Sequence, residues 1–305
     1  MICQHENSKI ILETKGYKLC KCLSCKLIFV KKDAIELNSQ NVYANFYKKE
    51  NASRFGGIVE VIVKMFRFKR ACKIYFLNKK ARSILDIGSG RGWMLYFLKK
   101  YFKYDRVTGT QIAENAFRFS KEKLKLEIHN QDLLELSFEN KFDIVSILHV
   151  LEHVENPEKY VEKISELLHD DGLLFIEVPN FNAWSRRLTK GHWLSLDLKH
   201  HLTFFTPTSL SSLLKKYNFK IKKIRTFSLE YSTFTSTQSL LNIITNSDSY
   251  FFNWLQNRNF DLKIIWHTFL FIILFLPCFF INLCLYFSKS GEVLTIIAEK
   301  NAKND

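Results

Sequence analysis

Ser83-Ile84-Leu85-Asp86-Ile87-Gly88-Ser89-Gly90-Arg91-Gly92 is the stretch that decides the fold. An apolar run ends in three glycines at alternate positions, and Trp93-Met94-Leu95-Tyr96-Phe97-Leu98-Lys99-Lys100 then follows with helical periodicity. Glycines at a strand-to-helix turn let the backbone approach a ligand closely, and the helix N-terminus supplies unpaired N–H donors. The spacing G-x-G-x-G differs from the dinucleotide fingerprint G-x-G-x-x-G, and the G-K-[ST] ending of a phosphate-binding loop is missing. Taken alone, the segment also reads as a plain tight β–α turn.

Working outward, the same alternation continues. Arg106-Val107-Thr108-Gly109-Thr110-Gln111 reads as a second strand ending in a polar residue, and Asn130-Gln131-Asp132-Leu133 closes a third. Residues 142–150 form a fourth apolar run, and residues 171–180 a turn followed by a fifth. Strand-like runs alternating with helical ones predict an α/β, Rossmann-like, doubly wound parallel sheet. Residues 291–300 read as a further strand.

These segments resemble the class I S-adenosylmethionine-dependent methyltransferases. The carrying motifs are LDIGSGRG (85–92), VTGTQIAENA (107–116), NQD (130–132), FDIVSILHVLEHVENP (142–157) and DGLLFIEVPN (171–180). GHWLSLDLKHHLTFFTPTSLSSLLKKYNF (191–219) resembles the branch with an N-terminal Cys module and an "HW…RHL–hF" lid motif. The resemblance implies a seven-stranded sheet with its last strand antiparallel, and S-adenosyl-L-methionine as cofactor. It implies that Asp86, Gly88, Ser89, Gly90 and Gly92 cradle the cofactor's amino-acid end. Asp132 and Leu133 would flank the adenine, and Leu148 and His149 would line the methionine side. Gln111 stands where an acidic residue usually accepts from the ribose hydroxyls; an amide oxygen accepts without charge.

Two histidine clusters are candidates for the chemistry. His149, Glu152 and His153 share one face if their segment is helical; His153 reads as a general base, the set as a divalent-cation site, or Glu152 and His153 as groups that bond the loop and shape the pocket. His200 and His201 fall in the lid motif. His201 is the preferred base, with lid-anchoring as its plain alternative, and the surrounding aromatics would exclude water. No Asn/Asp-Pro-Pro-aromatic motif follows the fourth strand, which argues against nucleic-acid acceptors and for O- or C-methylation.

Lys plus Arg number 45 and Asp plus Glu 30, a formal net charge of +15. That balance favours phosphate-bearing partners or an anionic membrane face. Met1-Ile2-Cys3-Gln4-His5-Glu6 is polar with no apolar run after it, so the expectation is a cytoplasmic chain with reduced thiols. Four of seven Cys crowd the N-terminus. Cys22 and Cys25 form a C-x2-C knuckle, and Cys3 and His5 precede it. The set reads as a small zinc-ribbon-like site, with Cys20 as a substitute ligand, or as a metal-free ribbon.

Residues 264–287 hold no Asp, Glu, Lys or Arg over 24 positions, which passes the length of a membrane span. A single crossing would separate residues 291–300 from the rest of the sheet. Pro277 predicts a break, giving halves 264–276 and 278–287 and a shallow hairpin flanked by Arg258, Lys263 and Lys289. A buried hairpin or a dimer interface is the alternative. Residues 58–80 read as a helix covering the sheet with a solvated basic face, or as a stretch presenting Lys64, Arg67, Lys69, Arg70 and Lys73 to headgroups.

The expected organisation is a zinc-ribbon-like module (1–35), a helical cover (36–81), the core (82–230), an apolar helical insertion (231–290) and a last strand with tail (291–305). The expected function is O-methylation of a lipidic or lipid-linked acceptor, such as a quinone precursor or a glycan intermediate, at the cytoplasmic membrane face, peripheral or monotopic. A soluble nucleotide-sugar or small-molecule methyltransferase and a non-catalytic S-adenosylmethionine-binding subunit are the alternatives.

Overall fold

The computed structural model describes residues 5–14, 16–31, 57–257 and 261–302. Cys3, Arg258 and most of the expected cover before residue 57 lie outside the described residues.

Three short strands come first: β1 (Ser8–Thr14), β2 (Tyr17–Cys22) and β3 (Ile28–Lys31). Helix α1 (Ile58–Leu77) follows. The alternating part runs β4 (Ser83–Ile87), α2 (Trp93–Phe102), β5 (Arg106–Thr110), α3 (Glu114–Arg118), β6 (Glu127–His129), β7 (Phe142–Leu148), α4 (Pro157–Leu167) and β8 (Leu168–Pro179). Then come α5 (Trp184–Thr189), β9 (Thr203–Phe204), α6 (Pro207–Lys216) and β10 (Phe219–Arg225). Helices α7 (Ser232–Thr245), α8 (Tyr250–Asn257) and α9 (Lys263–Cys284) precede β11 (Val293–Lys300).

The main sheet has seven strands in the order β10-β11-β8-β7-β4-β5-β6. Strands β4 to β8 are parallel, and β11 runs antiparallel to both β8 and β10. Helices cover both faces, so the central strands are buried on both sides and read as continuous apolar runs rather than alternating ones. Ile84, Leu85, Ile144, Val145, Leu174 and Ile176 are all fully buried. The helices begin where the chain supplies start signals. Asn156 caps α4 with Pro157 at its first turn, and Thr206 and Ser209 form a reciprocal capping box on α6 ahead of Pro207.

A second sheet has the order β1-β2-β3-β9. Its fourth strand comes from the lid motif far along the chain, so the N-terminal ribbon and the lid share one sheet. Leu19, Ile28, Val30, Phe181, Trp193 and Phe204 pack into one core beneath it.

The structure corrects two expectations. First, residues 263–284 form one continuous helix with Pro277 inside it, not a hairpin. A proline removes one backbone donor and crowds the preceding turn; here the rest of the helix bridges the defect. Second, the basic residues of α1 do not form a solvated face. Arg67 and Arg70 turn inward to Glu177 and Glu230, and Lys64 and Lys73 lie over the rings of Trp93 and Phe175. The outward positions of α1 include Val61, Met65, Phe68 and Phe76. Among the five basic residues named for α1, Lys69 is exposed.

Helix α7 lies between the lid region and α9. All its serines and threonines but the last, Thr245, are buried, and Ser236 and Ser239 return their hydroxyls to the carbonyls of Ser232 and Thr235. On one side Ser239 accepts from the Leu194 amide; on the other, Asn282 of α9 donates to Ser236 and accepts from Trp184. Helix α9 is thereby tied along α7, and the chain returns from it to β11 at the centre of the sheet's antiparallel edge.

Candidate active site

The site lies at the carboxyl ends of β4, β5 and β7, where an open α/β sheet accepts ligands. Gly88, Gly90 and Gly92 all have positive φ (69°, 57° and 72°), a region glycine enters without cost. At Gly88 the reason is also steric: a Cβ there would stand 2.3 Å from Cγ2 of Val150. The first turn after β4 is thus drawn down onto the turn after β7, leaving its backbone as the floor of the site. Ser89 is held by the backbone of Thr110, its amide donating to the carbonyl at 2.9 Å.

Asp86 is buried and accepts from Ser146 Oγ at 2.7 Å. Burial outweighs that hydrogen bond and nearby Arg70 and Arg67, and pushes its carboxyl up to about 6. Gln111 is buried just past β5, and its side-chain oxygen already accepts from the Ala113 amide at 2.9 Å. Its amide nitrogen is the group left to face a ribose. Asp132 caps the turn after β6 by accepting from Leu134 and also accepts from the Tyr160 hydroxyl. Leu133 is fully buried in the main core and Leu148 is partly buried against the other.

His149 follows β7 in a left-handed conformation (φ 55°), its amide bound to the Glu177 carbonyl at 2.8 Å. Its ring stands 3.5 Å from Glu152 through Nδ1 and 3.3 Å from Glu177 through Nε2, and it packs on Tyr231 at 4.5 Å between centroids. Burial disfavours the charged ring, but Glu152 and Glu177 outweigh it and push His149 up to about 10. Glu177 is held well below the usual carboxylate range, against its burial, by Arg70 at 2.9 Å and by His149. Arg70 also meets Glu230 at 3.0 Å, and Arg67 meets Glu230 at 2.8 Å. Lying between two carboxylates, His149 is favoured in its protonated form, which has no lone pair to take a proton.

The turn after β7 instead joins Glu152 and His153 to His201. One donor atom from each lies within 4.8 Å of the other two, and the two rings stand 4.7 Å apart. His153 Nδ1 lies 2.9 Å from the His200 carbonyl, and His201 Nδ1 lies 2.9 Å from the Ser195 carbonyl. A carbonyl only accepts, so each Nδ1 carries a proton. Burial and the neighbouring His201 push His153 down to about 4. Glu152 is a buried carboxylate, held ionised by His149 and the other histidines despite desolvation, and its Oε2 has no hydrogen-bond partner. Such a carboxylate grouped with two imidazoles fits a proton relay or a divalent cation. The His200 ring pairs with Asp197 at 2.6 Å, and its carbonyl meets His153 Nδ1.

At the N-terminus, His5, Cys22 and Cys25 converge, with one ligand atom from each within 4.8 Å of the others. Cys20 is buried on the same strand outside this group. Despite desolvation, contacts with His5 and the knuckle amides bring the Cys22 thiol down to about 6.

The sequence does not single out Glu177, Glu230 or Tyr231 as site residues, and it reads Arg67 and Arg70 as part of a basic stretch rather than of the site. One signal was available. Glu177 is a lone charge in the apolar strand LLFIEVP, and a buried strand carries a charge only where a partner meets it.

A profile of the methyltransferase-domain family matches residues 63–224, more than half of the chain. An (S)-tetrahydroprotoberberine N-methyltransferase of Eschscholzia californica is 26% identical over 126 residues, covering 38% of this chain and 36% of that protein. A ubiquinone biosynthesis O-methyltransferase of Glaesserella parasuis is 29% identical over 127 residues, covering 36% of this chain and 53% of that protein. The chain thus spans about a third to a half of the curated relatives it matches. The plantazolicin methyltransferase BpumL, solved with a monoazolic desmethyl analog and S-adenosylhomocysteine, superposes with a TM-score of 0.50 at 18% identity. That match covers 88% of this chain and 97% of that one and shows the shared fold.

Proposed function

The chain belongs to the class I S-adenosylmethionine-dependent methyltransferases, and on that premise we propose that it methylates a hydroxyl oxygen of a lipidic or lipid-linked acceptor at the cytoplasmic face of a membrane. The observation that carries the chemistry is the grouping of Glu152, His153 and His201, with each histidine held through Nδ1 against a backbone carbonyl.

The residues fit the cofactor. The glycine turn leaves a bare backbone floor on which the cofactor's amino-acid end would rest, and Asp86 would accept from its ammonium group. S-adenosylmethionine supplies an electrophilic methyl group when bound. The chain's part is to position the acceptor and remove its proton. His201 Nε2 takes the hydroxyl proton, and the Glu152 carboxylate stabilises the imidazolium that forms. His153, held neutral, orients the acceptor as a hydrogen-bond acceptor. His149, held cationic, fixes the turn that carries Glu152 and His153.

The membrane side of the proposal rests on α9. Ile265, Phe269, Ile272, Leu276, Phe280, Leu283 and Phe287 recur at helical spacing, and each is at least half exposed or close to it. The helix has the length and hydropathy of a span, and only 11% of its most apolar window is buried. Because α9 is tied along α7 and the chain returns to β11 in the main sheet, the helix lies in the membrane surface rather than through it. Tyr231, at the start of α7, touches His149, so a docked α9 holds the acceptor side of the site against the bilayer.

An amine acceptor is the second reading, favoured by the N-methyltransferases among the relatives. The test is methyl-labelled S-adenosylmethionine given to the protein with vesicles carrying phenolic or polyprenyl-linked acceptors, and separately with soluble nucleotide sugars. Label in the lipid extract supports the proposal. Label confined to aqueous products, with no vesicle binding, refutes it.

A further inference from the structure

The knuckle and the lid are parts of one sheet. Strand β3 pairs with β9 so that Ile28 faces Phe204 and Phe29 faces Thr203, and the Val30 amide donates to the Leu202 carbonyl at 3.0 Å. On its other side the lid is pinned to the site: the Leu202 and Thr203 amides both donate to the Glu152 carbonyl, at 2.8 and 3.1 Å. The ring of His5 stacks on Phe29 at 4.9 Å between centroids and 26° between planes. A continuous path therefore runs from His5 through Phe29 to Thr203, two residues past His201.

The knuckle itself has the shape of a metal turn. The Cys25 amide approaches Cys22 Sγ at 3.5 Å, Lys26 closes the turn onto the Cys22 carbonyl in a left-handed conformation (φ 63°), and Cys25 Sγ lies 3.4 Å from His5 Nδ1. Bonds of about 2.3 Å to sulfur and about 2.0 Å to nitrogen in a tetrahedral site separate such donors by roughly 3.5 Å. Two thiolates with an imidazole select zinc over hard cations. The ribbon also needs a staple, because its strands are short and β1 is largely exposed.

We propose that His5, Cys22 and Cys25 hold a zinc ion, and that this ion positions the lid strand and with it His201. The ion acts on the reaction through the lid, so His5 and Phe29 are positioning residues. The second half of the proposal rests on the methyltransferase reading of the lid; the first half does not.

The experiment uses the full chain. Zinc content after dialysis is measured by elemental analysis, and cobalt-loaded protein by absorption. One zinc per chain is expected, with thiolate-to-cobalt charge-transfer bands that vanish in Cys22→Ser and Cys25→Ser. Hydrogen exchange then compares zinc-loaded with chelator-stripped protein. The amides of Leu202 and Thr203 are expected to exchange at least tenfold faster after stripping, while those of β4 and β7 are unchanged and S-adenosylhomocysteine still binds within twofold. Phe29→Ala, with zinc retained, is expected to reproduce the faster exchange and to lower kcat with KM for the cofactor unchanged. No retained metal, or a Cys22–Cys25 disulfide two mass units lighter, overturns the metal site. Bound zinc with unchanged lid exchange overturns the coupling. Failure of the methyltransferase reading registers separately, as absent S-adenosylhomocysteine binding in zinc-loaded protein.

Discussion

Replacing Glu177 by Gln removes one charge from the middle of the network that makes His149 cationic. The variant keeps the shape and the hydrogen bond from Thr295, which donates to Glu177 Oε2 at 2.9 Å. Arg70 loses one of two carboxylate partners and keeps Glu230; His149 loses one and keeps Glu152. Breaking a fully buried pair costs about 3–5 kcal/mol. With half the pairing left on each cation, the expected loss is about 2–3 kcal/mol at pH 7.

The pH dependence carries the sharper claim. The folded pKa of His149, about 10, lies above its ordinary 6.5. Its stabilisation is therefore complete below about pH 6.5 and is lost as pH rises through about 10. Other groups titrate in this window, including Lys73, which burial pushes down to about 8 despite Glu177, so the useful quantity is the difference between wild type and variant. Losing Glu177 lowers both His149 and Lys73, and both changes act in one direction. The difference should shrink between pH 7 and 10, by about 1.4 kcal/mol per unit for each proton fully involved. Urea unfolding of cofactor-free protein at pH 7, 8, 9 and 10 measures it, with imidazole NMR reporting the His149 titration. A difference below about 0.5 kcal/mol at pH 7, or one independent of pH, would refute the reasoning that His149 is a locked cation. It would leave His149 free of that cationic lock.

Three further outcomes follow from the same geometry. Gly88→Ala combines a φ of 69° with a contact 2.3 Å from Val150, so it should cost about 2–4 kcal/mol and abolish S-adenosylhomocysteine binding. Adding Val150→Ala should recover part of the stability in urea titrations and leave the φ strain. His201→Gln should lower kcat about 10²- to 10⁴-fold while calorimetric S-adenosylhomocysteine affinity stays within twofold; an undiminished kcat removes His201 as the base. On α9, Ile272→Glu with Leu276→Glu replaces side chains that are 66% and 59% exposed. Thermal stability should move by no more than a degree or two, while vesicle co-sedimentation falls at least tenfold, since each apolar side chain returned to water forfeits roughly 1.5 kcal/mol or more.

The parts of this protein legible in its sequence are those whose physics is local. A positive φ at Gly88, Gly90 and Gly92 is a demand of three neighbouring residues on their own backbone, and it survives any tertiary context. The buried strands likewise announce themselves through runs such as Ser83–Ile87. The N-terminal knuckle was legible from the close spacing of Cys22 and Cys25, and the antiparallel last strand from the resemblance its neighbours carry.

What resisted was the pairing of charges across the chain. Arg67 and Arg70 look like a solvated basic face because nothing nearby in sequence opposes them. Their partners, Glu177 and Glu230, lie 107 to 163 residues away. Pro277 failed as a stop signal for a related reason: a lone proline removes one hydrogen bond, and the packing of α9 on α7 outweighs that local defect. The consequence reaches the chemistry. His149, Glu152 and His153 sit within five residues, and their spacing alone does not show what separates His153, read as a base, from His149, read as a lining residue. They differ because α1, β8 and the start of α7 converge on His149, whereas the lid closes over His153 and hands its open face to His201. The role of each histidine is thus fixed by which distant segment covers it, so a change in α1 is predicted to alter the protonation of a turn it never touches in sequence.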